Sequence, residues 1–483
     1  MRTPKKSAIR PTSAPAYRPA DDEIWPRVTR ELADDLAVDA LTRDRAGKAP
    51  FDEVARLQEA GLPALLTAPG PSGRGADWRT ACGVIREIAA ADGSIGELLA
   101  HHCVLSWTSR FLGPAAGPFD LDTRTAEEHW LLAGAVEPPR VDSSPAGLTL
   151  TPAGGGAYIL DGRRAFASGV TVADRFVVGA RCTETGDLLV VLVDPAHPAV
   201  FTDAGAERVG QRLAGAGTVT FDQVPVGAEQ VLGALPQDEH AVAPYSTLAP
   251  LALRLLLVQV GLGIAEGALA EARDISRATQ AAAPPAEGAR GRAAFAADFA
   301  DGFAADFAAT GTSGRPGRSG LPGHSGLPGH SGLPGLSGPG FPSPGLVGFS
   351  GGGPGDDPYL LLAYGELATA AHAAAAVVER ATDALAHGLV EERGLDVEDL
   401  ADIAVLVAAA ETVTNRAAVD ITTRILELVD PATAARPHAG GQGFDRFWRN
   451  VRALTAPVSP DHRLRDIGDH YLNGTHARLT LLA

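Results

Sequence analysis

The chain has 483 residues, 56 Gly and 36 Pro among them, and a formal net charge of −17. That length allows about three domains at roughly 150 residues each and a large buried core. With 58 acidic against 41 basic residues and no long basic run, the chain lacks the basic face that a nucleic-acid partner requires.

In chain order, residues 1–24 read as a disordered arm, Pro-rich and basic, and 25–135 as an N-terminal helical domain. Val28, Leu32 and Leu36 mark one helix face, and Phe51, Val54 and Leu57 a second. Gly61 and Pro63 stop that helix. Trp78, Cys82, Ile85 and Ile88 make a third stripe. Ser94-Ile95-Gly96-Glu97 has capping-box spacing, in which the serine accepts from a free backbone N–H and the glutamate reaches back. The helix that follows carries Leu98, Leu99, His102 and Leu105. Residues 136–235 change period, with β-rich runs at Leu148–Leu150, Tyr158–Leu160, Phe176–Val178, Leu188–Val193 and Thr218–Phe221. Asp161-Gly162 reads as a hairpin turn, and the whole as a compact barrel or sandwich.

Residues 236–483 return to helices, predicted over 246–279, 359–388 and 397–429. A Gly/Pro-rich insert at about 280–356 interrupts them. From Gly311 to Gly338 glycine stands at every third position, the spacing of a collagen strand. The run is short and its neighbours are helical, which favours a disordered loop. Helical domain, small β-domain, helical bundle is the expected architecture.

Cys82, Cys103 and Cys182 are odd in number and lack metal-ligand spacing, which argues against a disulfide framework or a zinc site. The N-terminal stretch has no apolar segment of secretory type. The nearest approach to a membrane span, Leu248–Ile264, is broken by Arg254 and Gln259. A cytoplasmic protein with no membrane or nucleic-acid partner is expected.

There is no G-x-S-x-G, P-loop or H-E-x-x-H, and no G-x-G-x-x-G between a strand and a helix; Gly261-Leu262-Gly263 lies inside a helical run. The segment Ala89–His102, the run Tyr158–Gly169 followed by Ala173-Asp174, and the tail Arg446-Phe-Trp-Arg-Asn450 with Arg465-Asp-Ile-Gly468 and Leu472-Asn-Gly474 carry a resemblance instead. Together with the element order they resemble the acyl-CoA dehydrogenase superfamily, and the tail resembles its flavin-dependent monooxygenase branch.

That resemblance implies an oxidoreductase taking reduced FMN from a separate reductase, with a small heteroatom-containing or aromatic substrate, in a homotetramer. Ser168 and Gly169 would then lie beside the flavin ring and polarise it. His102 would face the flavin pocket; read from its apolar stripe alone, it is a core histidine. Arg449, with Asn450 beside it in the tail motif, would bind the flavin phosphate or fasten the tail helix through an ion pair. The branch carries H-x-x-H-D after its W-R-N motif, and this chain has Leu454, Pro457 and Val458 there. Two other readings stay open on the sequence: an FAD-holding acyl-CoA dehydrogenase-like enzyme, and a degenerate homologue acting as an assembly partner. The first needs a catalytic carboxylate, and the nearest, Glu266, lies well inside a helix.

Overall fold

The computed structural model describes residues 24–474, apart from 69–74, 113–119, 137–146, 206–207, 237, 239–241, 283–357, 392–393, 430–442 and 457–459. The predicted arm and the collagen-like run lie outside the described residues. The chain divides into two units, residues 1–275 with 363–483, and 276–362. The first holds every residue of the candidate site described below.

Six helices come first: α1 (Ile24–Ala46), α2 (Phe51–Glu59), α3 (Trp78–Ala91), α4 (Gly93–Ser106), α5 (Thr108–Leu112) and α6 (Leu121–Glu128). Eight strands follow: β1 (Leu132–Ala135), β2 (Thr149–Gly154), β3 (Ala157–Phe166), β4 (Arg175–Cys182), β5 (Leu188–Val193), β6 (Val200–Asp203), β7 (Gly217–Val226) and β8 (Val231–Leu235). The last helices are α7 (Leu248–Ala282), α8 (Pro358–Glu391), α9 (Val397–Leu428), α10 (Asp445–Thr455) and α11 (Pro460–Asn473). The expected order of helices, a small β-domain and a helical bundle is therefore realised.

The predicted helical stripes bury as their period requires. Trp78, Cys82, Ile85 and Ile88 all lie in the main core with Leu251, Leu255, Val258 and Leu262 of α7. Trp78 and Trp107 meet edge to face at 5.0 Å, an arrangement that ring quadrupoles favour. Two glycines let α7 approach α3 closely. A Cβ at Gly263 would sit 2.2 Å from the Arg86 carbonyl oxygen, and one at Gly267 2.1 Å from that of Ala90. The Gly261-Leu262-Gly263 run thus serves helix packing.

The strands form one sheet in the order β6-β7-β3-β2-β4-β5-β8, with β1 added parallel to β4. Along β4, Phe176 and Val178 enter one core and Val177 another, so both faces are covered at period two. The second of these cores seats Leu105 of α4 and Leu121 against the sheet. Strands β1, β6 and β8 are four or five residues long and carry too little alternation to announce themselves.

Three expectations need correction. Asp161-Gly162 is not a turn. It lies inside β3, where the pairing with β7 shifts register, and the β2–β3 connection runs through Gly154, Gly155 and Gly156, all at positive φ. The start of α4 is not capped by Ser94. Asp92 is the cap, and its carboxylate accepts from the N–H groups of Ser94 and Ile95 at 3.0 and 3.3 Å, so Glu97 has no capping work. Finally, two helices are long and apolar enough to cross a membrane, Pro244–Ala278 and Pro358–Val390. The first is mostly buried, as a core helix of a bundle is.

Candidate functional site

Helix α4 presents two different faces. Leu98, His102 and Leu105 turn into the interior, and all three are buried. Ser94, Glu97 and His101 stand at i, i+3 and i+7, so they share the other face.

His102 is fully engaged on the inner face. Its Nε2–H donates to the Pro63 carbonyl at 2.9 Å, and its Nδ1 accepts from the Leu132 N–H at 3.0 Å. One partner only accepts and the other only donates, so the ring is held neutral with its proton on Nε2. Burial pushes its pKa down to about 4, against a smaller opposing effect of the Pro63 bond. Both ring nitrogens of His102 are thus bonded within the chain, which is how a buried histidine on an apolar stripe is satisfied.

The other face of α4 carries the loop between β6 and β7. Ser94 Oγ accepts from the Leu213 N–H at 3.4 Å. Asn450 of α10 accepts from the Gln211 N–H at 2.8 Å, and Arg449 donates to the Val209 carbonyl at 2.8 Å. A Cβ on Gly210 would sit 2.0 Å from the Arg449 carbonyl oxygen; only glycine allows this approach. On its far side the loop accepts from the Gly169 N–H at the Ala214 carbonyl, 2.8 Å, and from the Val170 N–H at Gly215, 2.8 Å. The seam is tight: the cavity among Ser94, Leu213, Phe447 and Asn450 measures about 10 Å³, room for a water and little else.

These contacts fix the other predicted site residues. Arg449 forms ion pairs with Asp44 of α1 and with Asp445, the latter at 2.9 Å. Asn450 is buried and clamps the loop, so its carboxamide oxygen is committed to the protein backbone. The Gly169 N–H is likewise bonded to the Ala214 carbonyl. Ser168, just beyond β3, is buried, and its hydroxyl forms no hydrogen bond among the described residues. The signature aspartate Asp174 is structural, accepting from the Leu131 N–H at 2.7 Å and from Gln58 at 2.9 Å. Leu454 packs partly buried against the helical core; Pro457 and Val458 lie outside the described residues. Glu266 is held by both nitrogens of an Arg86 fork.

Four further groups lie at this junction. Arg208 on the loop donates to the Ala167 carbonyl at 3.4 Å, next to Ser168, and its charge reaches both Glu97 and His101. Glu97 is 4% exposed, and its Oε2 has no hydrogen-bond partner. Burial pushes its carboxyl up to about 7, with Arg208 pulling the other way. His101 donates from Nδ1 to the Glu97 carbonyl oxygen at 2.9 Å, and burial lowers its pKa, which leaves Nε2 as an acceptor. Gln211 is fully buried at φ 54, with neither its side-chain oxygen nor its nitrogen partnered.

A buried amide left without partners costs about 1–3 kcal/mol per group, so an orphan of this kind marks either strain or a missing polar ligand. Gln211→Leu keeps the volume and removes both orphans. We expect it to stabilise the protein alone by about 1–3 kcal/mol in chemical denaturation while weakening its affinity for reduced flavin. The Gln211 amide sets a donor beside an acceptor, as the edge of a flavin ring does. A second and larger groove, about 350 Å³, is lined by Arg124, Trp130, Arg175, Asp194 and Gln230. Its charges are matched internally, Arg175 stacking over Trp130 at 4.5 Å and pairing with Asp194 at 3.7 Å.

No protein-family profile matches the chain. It is 28% identical to dibenzothiophene monooxygenase of Rhodococcus qingshengii over 487 residues, 98% of each chain. It is 26% identical to a probable FMNH2-dependent monooxygenase, SfnC, of Pseudomonas putida over 449 residues, 92% of this chain and 94% of that one. Among solved structures, TdsC of Paenibacillus sp. A11-2 in complex with FMN and indole superposes with a TM-score of 0.74 at 25% identity, covering 95% of this chain and 99% of that one. The architecture is that of an acyl-CoA dehydrogenase-type oxidoreductase. Within that fold, the full-length similarity is to flavin-dependent monooxygenases, as the tail motif implies.

Proposed function

We propose that this protein is a monooxygenase that uses reduced FMN, delivered by a separate flavin reductase, to oxidise a small heteroatom-containing or aromatic substrate. The observation that carries the reading is the likeness to dibenzothiophene monooxygenase along 98% of the chain. The acyl-CoA dehydrogenase-like alternative has no comparable support. Glu266 is committed to Arg86, and Glu97, the carboxyl at the junction, has its pKa raised to about 7 by burial, so it is an acid more readily than a base.

Reduced FMN supplies the electrons that activate dioxygen. The chain's own residues bind and orient it. Ser168 and the Gln211 amide hydrogen-bond the ring edge, and Arg208 offsets the negative charge of a reduced flavin. His102, Gly169, Arg449 and Asn450 hold the loop and β1 in place around them. The apolar flank of α4 and the helical core exclude water, which protects an oxygen-activating site from wasteful peroxide release. A planar substrate such as a sulfur heteroaromatic or an indole suits the site by analogy with the relatives. A homotetramer in the cytoplasm remains part of the reading, supported by the resemblance to the superfamily alone.

Anaerobic titration with reduced FMN, and separately with reduced FAD, tests the assignment. Saturable binding of reduced FMN in preference to FAD is expected. Ser168→Ala should weaken it roughly tenfold, the value of about one hydrogen bond, with the melting temperature unchanged. Failure of the wild-type protein to bind either flavin would overturn the assignment.

A further inference from the structure

We infer that the loop between β6 and β7 is a sprung latch: the tail helix α10 holds it in a strained conformation, and that conformation fixes the turn after β3, which carries Ser168. The inference begins with one residue. Gln211 has a left-handed backbone at φ 54 and is fully buried, with both polar atoms of its amide unpartnered. A residue other than glycine is strained in that region, and a buried amide without partners raises the energy again. Such outliers persist only where the surroundings impose them. Here α10 imposes it. Asn450 Oδ1 accepts from the Gln211 N–H at 2.8 Å, and Arg449 donates to the Val209 carbonyl at 2.8 Å, so the chain is gripped on both sides of Gly210.

The grip is passed on through hydrogen bonds in series. The Gln211 carbonyl accepts from the Ala214 N–H at 3.2 Å, and the Ala214 carbonyl accepts from the Gly169 N–H at 2.8 Å. The Gly215 carbonyl accepts from the Val170 N–H at 2.8 Å. One line of bonds therefore runs from Asn450 to the residue after Ser168. The loop also has somewhere to go. Val209 is 70% exposed, so this stretch lies at the surface. Gly205 and Gly215, both at positive φ, absorb a change of direction at its ends. Released from α10, Gln211 recovers an ordinary backbone and its amide reaches water.

The segment thus has a held state and a relaxed one, and both α10 and the turn after β3 bias the balance between them. The docking of α10 and the placing of the Ser168 hydroxyl become one equilibrium. A loop kept for packing alone has no use for this arrangement. A glycine at position 211 would take the same backbone without strain and leave no amide to satisfy. The latch goes beyond the reduced-FMN reading and does not depend on it, because every contact in it is made within the chain.

Residue-resolved amide hydrogen exchange on the whole chain, without flavin, tests the latch in wild type, Asn450→Ala, Gln211→Gly and the double variant. Asn450→Ala should speed exchange at Gly169 and Val170 about tenfold, the value of one lost hydrogen bond, and leave strand β4 at its wild-type rate. Gln211→Gly removes the strain and should slow the same two amides about tenfold. The double variant should bring them back near the wild-type rate, because a loop without strain needs less holding. Exchange at Gly169 and Val170 that ignores Asn450→Ala, or that rises no more than in β4, would overturn the latch. Gln211→Gly that fails to slow these amides would overturn it as well, and this arm decides the matter even if Asn450→Ala does not fold. None of these outcomes bears on whether reduced FMN binds, so the latch and the monooxygenase reading fail separately.

Discussion

Replacing Arg449 by alanine is expected to lower stability by about 3–5 kcal/mol, the cost of stranding a buried charge, in the protein alone and in the presence of flavin alike. The reason is Asp44. Its side chain is 5% exposed, and it faces the Arg449 guanidinium, itself 17% exposed. Arg212 reaches the Asp44 backbone carbonyl at 3.2 Å, not its carboxylate. Without Arg449 the carboxylate stays buried and uncompensated. The same side chain binds Asp445 and the Val209 carbonyl, so lysine, with one compact ammonium, is a poor substitute for the planar fork. Replacing both partners, Asp44→Leu with Arg449→Leu, should recover most of the loss, because an apolar pair leaves no charge to desolvate. Chemical denaturation of the three variants decides the matter. Were Arg449 a phosphate ligand, Arg449→Ala would leave the flavin-free protein as stable as wild type and change flavin affinity alone.

That pair also shows how far the sequence could be read. The W-R-N motif announced the tail helix, and its position in the chain matched the fold, but a motif cannot say what an arginine touches. Asp44 lies about four hundred residues earlier, at the end of α1, and nothing in local pattern links the two. Helices with long apolar stripes, such as Trp78-Cys82-Ile85-Ile88, were legible because burial of one face repeats every turn. Strand β1 was not, since Leu-Ala-Gly-Ala has no strand composition and owes its conformation to pairing with β4. The candidate site was legible in part. Ser168 entered through the resemblance of the run Tyr158–Gly169 to a family signature. Glu97 was hidden by a capping pattern that Asp92 in fact fulfils. A helical wheel holds the missing signal: in α4, Ser94, Glu97 and His101 form one polar stripe, while His102 sits among leucines. Gln211 gave no signal, because a glutamine between Gly210 and Arg212 reads as loop surface and is instead fully buried.

Two of the buried titratable groups of α4, Glu97 and His102, lead to a pH dependence that appears when one of them is removed. Glu97 has its pKa raised to about 7 from an ordinary 4.5. Between those values the folded protein holds a proton that the unfolded chain has lost, so the stability Glu97 contributes is full below pH 4.5 and is lost as pH rises through 7. His102 has its pKa lowered to about 4 from an ordinary 6.5. There the unfolded chain holds the proton and the folded protein does not, so its contribution is full above pH 6.5 and is lost as pH falls through 4. From pH 4.5 to 6.5 the two slopes oppose and nearly cancel. Each is worth about 1.4 kcal/mol per pH unit, or about 3 kcal/mol over that window. Glu97→Gln should therefore expose the histidine slope, becoming about 3 kcal/mol less stable at pH 4.5 than at pH 6.5 relative to wild type. His102→Gln, which keeps a donor and an acceptor for Pro63 and Leu132, should show the reverse and lose stability toward neutral pH. Denaturation midpoints of the three proteins across this range measure both slopes at once. If Glu97→Gln followed the wild-type curve, Glu97 would be ionised in the folded protein.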